Sequence, residues 1–164
     1  MPTVWSWKNE FYQTLGAGNT APEDLFHAAT IGDAEAVERL IRGHTGINRK
    51  DESGWTALMF AAFNHQIRAM RLLIESGADL DEKNHKGETA LILCVITAHR
   101  HIMPWTRADQ AEGVRMLIDS GANVSVKDLS GRTAIEWARA NRLKTALEIL
   151  KAVEDGTDSM SNKG

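Results

Sequence analysis

One cysteine, three prolines and one tyrosine are all that the 164 residues contain of these types, and their scarcity narrows the reading at once. Cys94 alone cannot build an internal disulfide framework. Its place in the apolar run 91–96 suits a small buried hydrophobe in a reducing cytoplasm. Long hydrophobic runs are missing too: no stretch approaches the ~18 consecutive apolar residues of a membrane span, so no membrane is expected as a partner. The opening Met1-Pro2-Thr3-Val4-Trp5-Ser6-Trp7-Lys8 lacks the basic-then-apolar order of a signal peptide, so a soluble chain not secreted by the general route is expected. Charge of one sign is lacking as well. Lys and Arg number 19 against 22 Asp and Glu, a net charge of −3, whereas a protein that grips phosphate backbones carries a basic excess. Nucleic acid is therefore not an expected partner.

Groupings that carry chemistry are equally scarce. His99 and His101 lie two residues apart and point to different faces of any helix, and neither a Cys pair nor a His-Glu-x-x-His joins them, His65 or His85 in a ligand set. Gly16-Ala17-Gly18 is too short for a phosphate loop. Cys94 sits in a packed segment, far from the exposed electropositive setting of a reactive thiolate. No catalytic residue, metal or cofactor is expected.

What is present is a globular composition, 43% hydrophobic and 25% charged, in a chain of one domain's length, and a repeat. Gly54-Trp55-Thr56-Ala57-Leu58 returns as Gly87-Glu88-Thr89-Ala90-Leu91 after 33 residues and as Gly131-Arg132-Thr133-Ala134-Ile135 after a further 44. A second pair, 71–79 and 115–123, shares Leu-Ile or its equivalent followed by Ser-Gly-Ala, at Ser76-Gly77-Ala78 and Ser120-Gly121-Ala122. The distance from Gly54 to Gly77 is 23 residues, and from Gly87 to Gly121 it is 34. The 11 extra residues thus fall between two helices of one unit, at about 100–110.

This pattern resembles the ankyrin repeat family, whose 33-residue unit is a β-turn finger followed by two helices. The resemblance implies an all-α solenoid of four stacked helix-turn-helix units at about 22–50, 51–83, 84–127 and 128–154, the first degenerate and the third carrying the insertion. Thr56, Thr89 and Thr133 stand where a hydroxyl caps the first helix of each unit. Gly77 and Gly121 stand where an outer helix ends with positive φ. Ala28-Ala29 and Ala61-Ala62 let helices approach, and Leu72-Leu73 and Leu117-Ile118 offer apolar surface that one unit cannot bury alone. The family's Pro-Leu-His is replaced here by Ala57-Leu58-Met59, and His65 stands where the turn between helices usually has Gly, as at Gly32.

Both ends and the insertion stand outside the repeat. Four of the ten Phe, Trp and Tyr residues fall at Trp5, Trp7, Phe11 and Tyr12. With Val4, Trp7, Phe11 and Leu15 on one face, residues 1–21 are expected to form a helix that caps the stack or anchors a partner. The insertion, with Met103 and Trp105, reads either as a longer loop folded on the stack or as a binding loop. Lys144, Glu148, Lys151 and Glu154 give the last helix a charged face, and 155–164 reads as a disordered polar tail.

The resemblance also implies function. Ankyrin proteins hold a partner on a concave face built from finger tips and inner helices. Carried onto this chain, that face contains Lys50, Glu52 and Trp55, then His85, Lys86 and Glu88, then Leu129 and Arg132 on the fingers, with Phe63 and Ile96 on inner helices and Trp105 in the insertion. Trp55 and Phe63 either make a hot spot or pack within the stack. Lys50, Lys83 and Lys127 fall at matching finger positions and with Arg132 are expected to line one strip that suits an acidic partner surface, although solvated turns explain them equally well. The chain is expected to be a non-enzymatic, monomeric protein-binding module that acts as adaptor, inhibitor or immunity-type neutraliser. The alternative is a structural subunit that oligomerises through its aromatic N-terminus and insertion.

Overall fold

The structure, a computed structural model, describes residues 24–43, 46–96 and 107–161, with only the backbone at 107–109 and 155–161. The described residues form eight helices and no strand: α1 (Leu25–Ile31), α2 (Ala34–Arg42), α3 (Ala57–Phe63), α4 (Ile67–Glu75), α5 (Ala90–Ile96), α6 (Arg107–Asp119), α7 (Ala134–Ala140) and α8 (Lys144–Ser161). Each odd-numbered helix packs on the even-numbered one that follows. The odd helices stack in one inner row and the even helices in one outer row. Neighbours in the stack are thus neighbours in sequence, as a repeat architecture requires.

Local chemistry starts and stops several of these helices. The hydroxyls of Thr56, Thr89 and Thr133 accept the backbone N–H of Met59, Ile92 and Glu136 at 3.3, 3.4 and 3.4 Å. At Thr133 the cap is reciprocal, because Glu136 accepts the Thr133 N–H at 2.6 Å. The outer helix α2 is capped by Asp33, whose carboxylate accepts the N–H of Ala36 at 2.9 Å. Inner helices end in a left-handed residue: Gly32 at φ 75°, His65 at φ 49° and Arg142 at φ 57°. A non-glycine there costs roughly 1 kcal/mol, and at His65 the side chain gained in exchange is buried, with Nδ1 3.7 Å from the Cys94 thiol of the next inner helix.

The core lies between the two rows. Ala28, Ala29, Ala61, Ala62 and Ala138 are fully buried and set a close spacing of the inner helices, while Met70, Leu73, Val114, Leu117 and Leu150 fill the space toward the outer row. Cys94 belongs to this core with no exposure, and burial pushes its thiol pKa up to about 12.

Two boundaries differ from the sequence reading. The insertion is not all loop, because α6 begins at Arg107 and runs 13 residues where α4 has 9. Four of the extra residues therefore lengthen the outer helix by about one turn, and Gln110 is buried on it. The last helix continues to Ser161 through the segment assigned to a polar tail. No proline interrupts it there, and the lone Gly156 stays helical. The N-terminal residues 1–21 lie outside the described residues.

Candidate functional site

Among the described residues three fingers rise from the stack, each organised by one side chain. Asp51, Asn84 and Asp128 occupy equivalent positions. Their Oδ1 atoms accept the N–H of Ser53 and Trp55, of Lys86 and Glu88, and of Ser130 and Arg132, at 2.7 to 3.0 Å. The backbone closes the same turn each time: the N–H of Asp51, Asn84 and Asp128 donates to the carbonyl of Trp55, Glu88 and Arg132 at 2.9, 3.1 and 3.0 Å. Short polar side chains of this kind substitute for a backbone turn partner, which explains why Asp and Asn interchange here.

The fingers are laddered to one another. The N–H of His85 donates to the carbonyl of Ser53 at 3.1 Å, and the N–H of Leu129 to that of Lys86 at 2.9 Å. Along the same edge, Lys50 Nζ donates to the carbonyl of Lys83 at 3.0 Å and Lys83 Nζ to that of Lys127 at 3.4 Å. The approach is close enough that a Cβ on Gly87 would lie 2.9 Å from the Leu129 nitrogen.

Beside the first of these fingers stands an aromatic cluster. Trp55 meets Phe60 at 5.0 Å between ring centroids and Phe63 edge-on at 5.2 Å, and Phe60 meets Phe26 at 5.7 Å. The Arg49 guanidinium lies 5.0 Å over the Phe26 ring. All four residues are half-buried, so each keeps part of its surface toward solvent. At the third finger the Arg132 guanidinium lies 4.6 Å over Trp137, whose indole N–H donates to Asp128 Oδ2 at 2.7 Å. Burial raises the Asp128 pKa, but the hydrogen bonds from Ser130, Arg132 and Trp137 outweigh it and hold the carboxyl below its ordinary value.

The family model for ankyrin repeats, three copies, matches residues 25–128. The chain belongs to the ankyrin repeat family. Similar proteins include a putative ankyrin repeat protein, L86, of Acanthamoeba polyphaga mimivirus, 41% identical over 68 residues, 39% of this chain and 12% of that protein. Ankyrin repeat domain-containing protein 40 of Mus musculus is 33% identical over 91 residues, 55% of this chain and 25% of that protein. The NAD-capped RNA hydrolase NUDT12 of Homo sapiens is 39% identical over 79 residues, 47% of this chain and 17% of the hydrolase. The ankyrin chain thus spans a quarter or less of these relatives. Ankyrin repeats generally mediate protein–protein interaction and are typically not catalytic. No cluster of His, Cys, Asp and Glu among the described residues is arranged to hold a metal ion, and no described helix is long and apolar enough to cross a membrane.

The structure brings Trp55 and Phe63 into contact and aligns Lys50, Lys83 and Lys127 along the finger row. It also gives several of the expected site residues other engagements. Lys50 pairs with Glu82 at 2.5 Å besides its finger contact, and Glu88 accepts from Asn84 Nδ2 at 2.7 Å. Glu52, His85, Lys86 and Arg132 are exposed and Ile96 is half-buried, while Leu129 is 80% exposed. Trp105 lies outside the described residues. Sequence reasoning missed Phe26, Arg49, Phe60 and Trp137. Phe60 and Trp137 occupy equivalent repeat positions, with Leu93 between them, so aligning whole units rather than motif letters exposes that column.

Proposed function

We propose that this ankyrin chain is a non-enzymatic binding module that holds a partner protein against its fingers and the adjoining face of its inner helices, acting by occupancy as adaptor, inhibitor or immunity-type neutraliser. The observation that carries this reading is the ring cluster Phe26–Phe60–Trp55–Phe63. Half-buried aromatics fixed by their neighbours give up little conformational freedom on binding, and such residues dominate interface energies. The exposed cations Arg49, Lys83, Lys86 and Lys127 lie on the same fingers, whereas the carboxylates of Asp51 and Asp128 are spent on backbone N–H groups. The partner surface is accordingly acidic around an apolar anchor. A reducing cytoplasm suits the single buried thiol.

Capture from a native cell extract on immobilised wild type and on Trp55→Ala/Phe63→Ala tests this. Circular dichroism shows whether both are equally folded. Loss of two hot-spot rings weakens binding by about 30-fold or more, so the partner is retained by wild type and lost from the variant. Equal retention overturns the reading.

A further inference from the structure

The inter-finger ladder stops one rung short. The carbonyl of Ser53 accepts from finger two and that of Lys86 from finger three, and Ser130 is the equivalent residue of the last finger. Among the described residues no N–H reaches the Ser130 carbonyl, and a Cβ on Gly131 would meet nothing within 4 Å, whereas Gly54 and Gly87 are closed over by the next finger. Lys127 likewise stands next in the row in which Lys50 and Lys83 each donate to a neighbouring carbonyl. At the tip, Leu129 is 80% exposed, whereas the other large apolar side chains among the described residues are at least partly covered.

The helices beside this finger are finished differently. Where α3 and α5 place buried Met59, Ile92, Ala62 and Val95, α7 places exposed Glu136 and Arg139. Stacking an apolar helix pair there would bury a carboxylate and a guanidinium. The helical face is closed to apolar packing while the finger edge beside it is open. That edge is also rigid, because Asp128 binds Ser130, Arg132 and the Trp137 indole, so the acceptor is held in place with nothing stacked upon it.

We infer that the outer edge of the third finger, 127–132, is the part of the proposed binding surface that takes a short extended peptide segment of a partner protein, acidic and apolar by turns, an inference that rests on the finger half of that reading. The segment supplies the missing N–H to the Ser130 carbonyl, an apolar side chain to Leu129 and a carboxylate to Lys127 and Arg132, which extends the finger ladder by one foreign rung. The acidic preference follows from the local charge. Lys127 and Arg132 are exposed, the Asp128 carboxylate is consumed within its own turn, and Glu136 is turned back onto Thr133. The edge shares Lys127 and the finger row with the binding surface proposed above but none of its aromatic residues, so peptide binding here and partner capture through Trp55 and Phe63 fail separately.

The experiment is a titration of the full ¹⁵N-labelled chain, followed by amide shifts at low salt, with the capped peptide acetyl-Glu-Val-Glu-Val-Glu-amide. Controls are its lysine counterpart and a copy N-methylated at the two valines. Saturable shifts are expected at 129–132 with the acidic peptide, several-fold weaker with the lysine peptide. The methylated copy loses about two- to tenfold in Kd, as the loss of one backbone hydrogen bond implies. Leu129→Asp, at a solvent-facing position, should keep the rest of the spectrum and lose the finger shifts; Lys127→Gln should weaken binding without abolishing it. The inference is overturned by an unmoved finger at millimolar peptide, or by equal response to all three peptides. It is also overturned by finger shifts that follow protein concentration alone, which assign the edge to a second copy of the chain.

Discussion

A pair of alanines separates inter-finger packing from backbone conformation. Gly87 and Gly131 occupy the same finger position with nearly the same dihedral, φ 74° and φ 80°. Alanine at either site pays for the left-handed conformation, roughly 1–2 kcal/mol, less about 0.4–1 kcal/mol regained from a stiffer unfolded chain. Gly131→Ala pays nothing more, because a Cβ there is in open space. Gly87→Ala also places a methyl 2.9 Å from the Leu129 nitrogen and 3.2 Å from two Asp128 backbone atoms. None of these is the flexible end of a side chain, so the third finger must shift. Overpacking of this kind adds about 1–3 kcal/mol. We expect Gly131→Ala to cost about 1 kcal/mol and Gly87→Ala about 2–4 kcal/mol, measured by urea denaturation followed by far-ultraviolet circular dichroism. Loss of the Leu129-to-Lys86 hydrogen bond in Gly87→Ala should also appear as faster exchange of the Leu129 amide. Equal destabilisation by the two variants would refute the finger ladder as a stabilising element.

Further expectations follow from single groups. Asp128 has a folded pKa below its ordinary value of 3.8, so its contribution is fully present above that value and is lost as pH falls through the lower folded value; the urea midpoint of wild type should drop across that acid range, and Asp128→Asn should show a lower midpoint at neutral pH and a smaller acid loss. Thr56→Ala removes the cap of α3 and should cost about 1 kcal/mol by the same assay, since the Met59 N–H is left without its acceptor. Leu73→Ala, at a fully buried site between α4 and its neighbours, should cost about 2–5 kcal/mol. Cys94, buried and with its pKa near 12, should react with a thiol reagent at pH 8 only as fast as the stack opens, whereas rapid labelling of the native protein would contradict its packing.

The Gly-x-Thr-Ala motif, followed by Leu or Ile, marks the starts of the inner helices of the second, third and fourth units, and Ser-Gly-Ala marks the ends of the outer helices of the second and third, because a capping hydroxyl and a left-handed glycine are local requirements. The degenerate first unit was legible from Ala28-Ala29 and Gly32. Less visible was the finger anchor, since Asp51, Asn84 and Asp128 differ in letter and share only the Oδ1 acceptor that the turn uses. The bond from Trp137 to Asp128 joins a helix to a finger nine residues earlier, and no periodicity signals it. The extended start of α6 also escaped notice, because four added residues keep a helix in phase with its apolar face only to within a fraction of a turn. As for the site, repeat alignment paired Trp55 with Phe63 but could not show that Lys50 is engaged by Glu82 and the next finger.

The proposed function requires that partners meet the fingers and inner helices rather than the outer row. Hydrogen exchange of the chain alone and in complex with the partner recovered by capture tests it most directly. Protection should rise at 49–55, 83–88 and 127–132 and along α3 and α5, with α2, α4 and α6 unchanged. Protection concentrated on the outer helices, with the fingers exchanging as before, would contradict the proposed function.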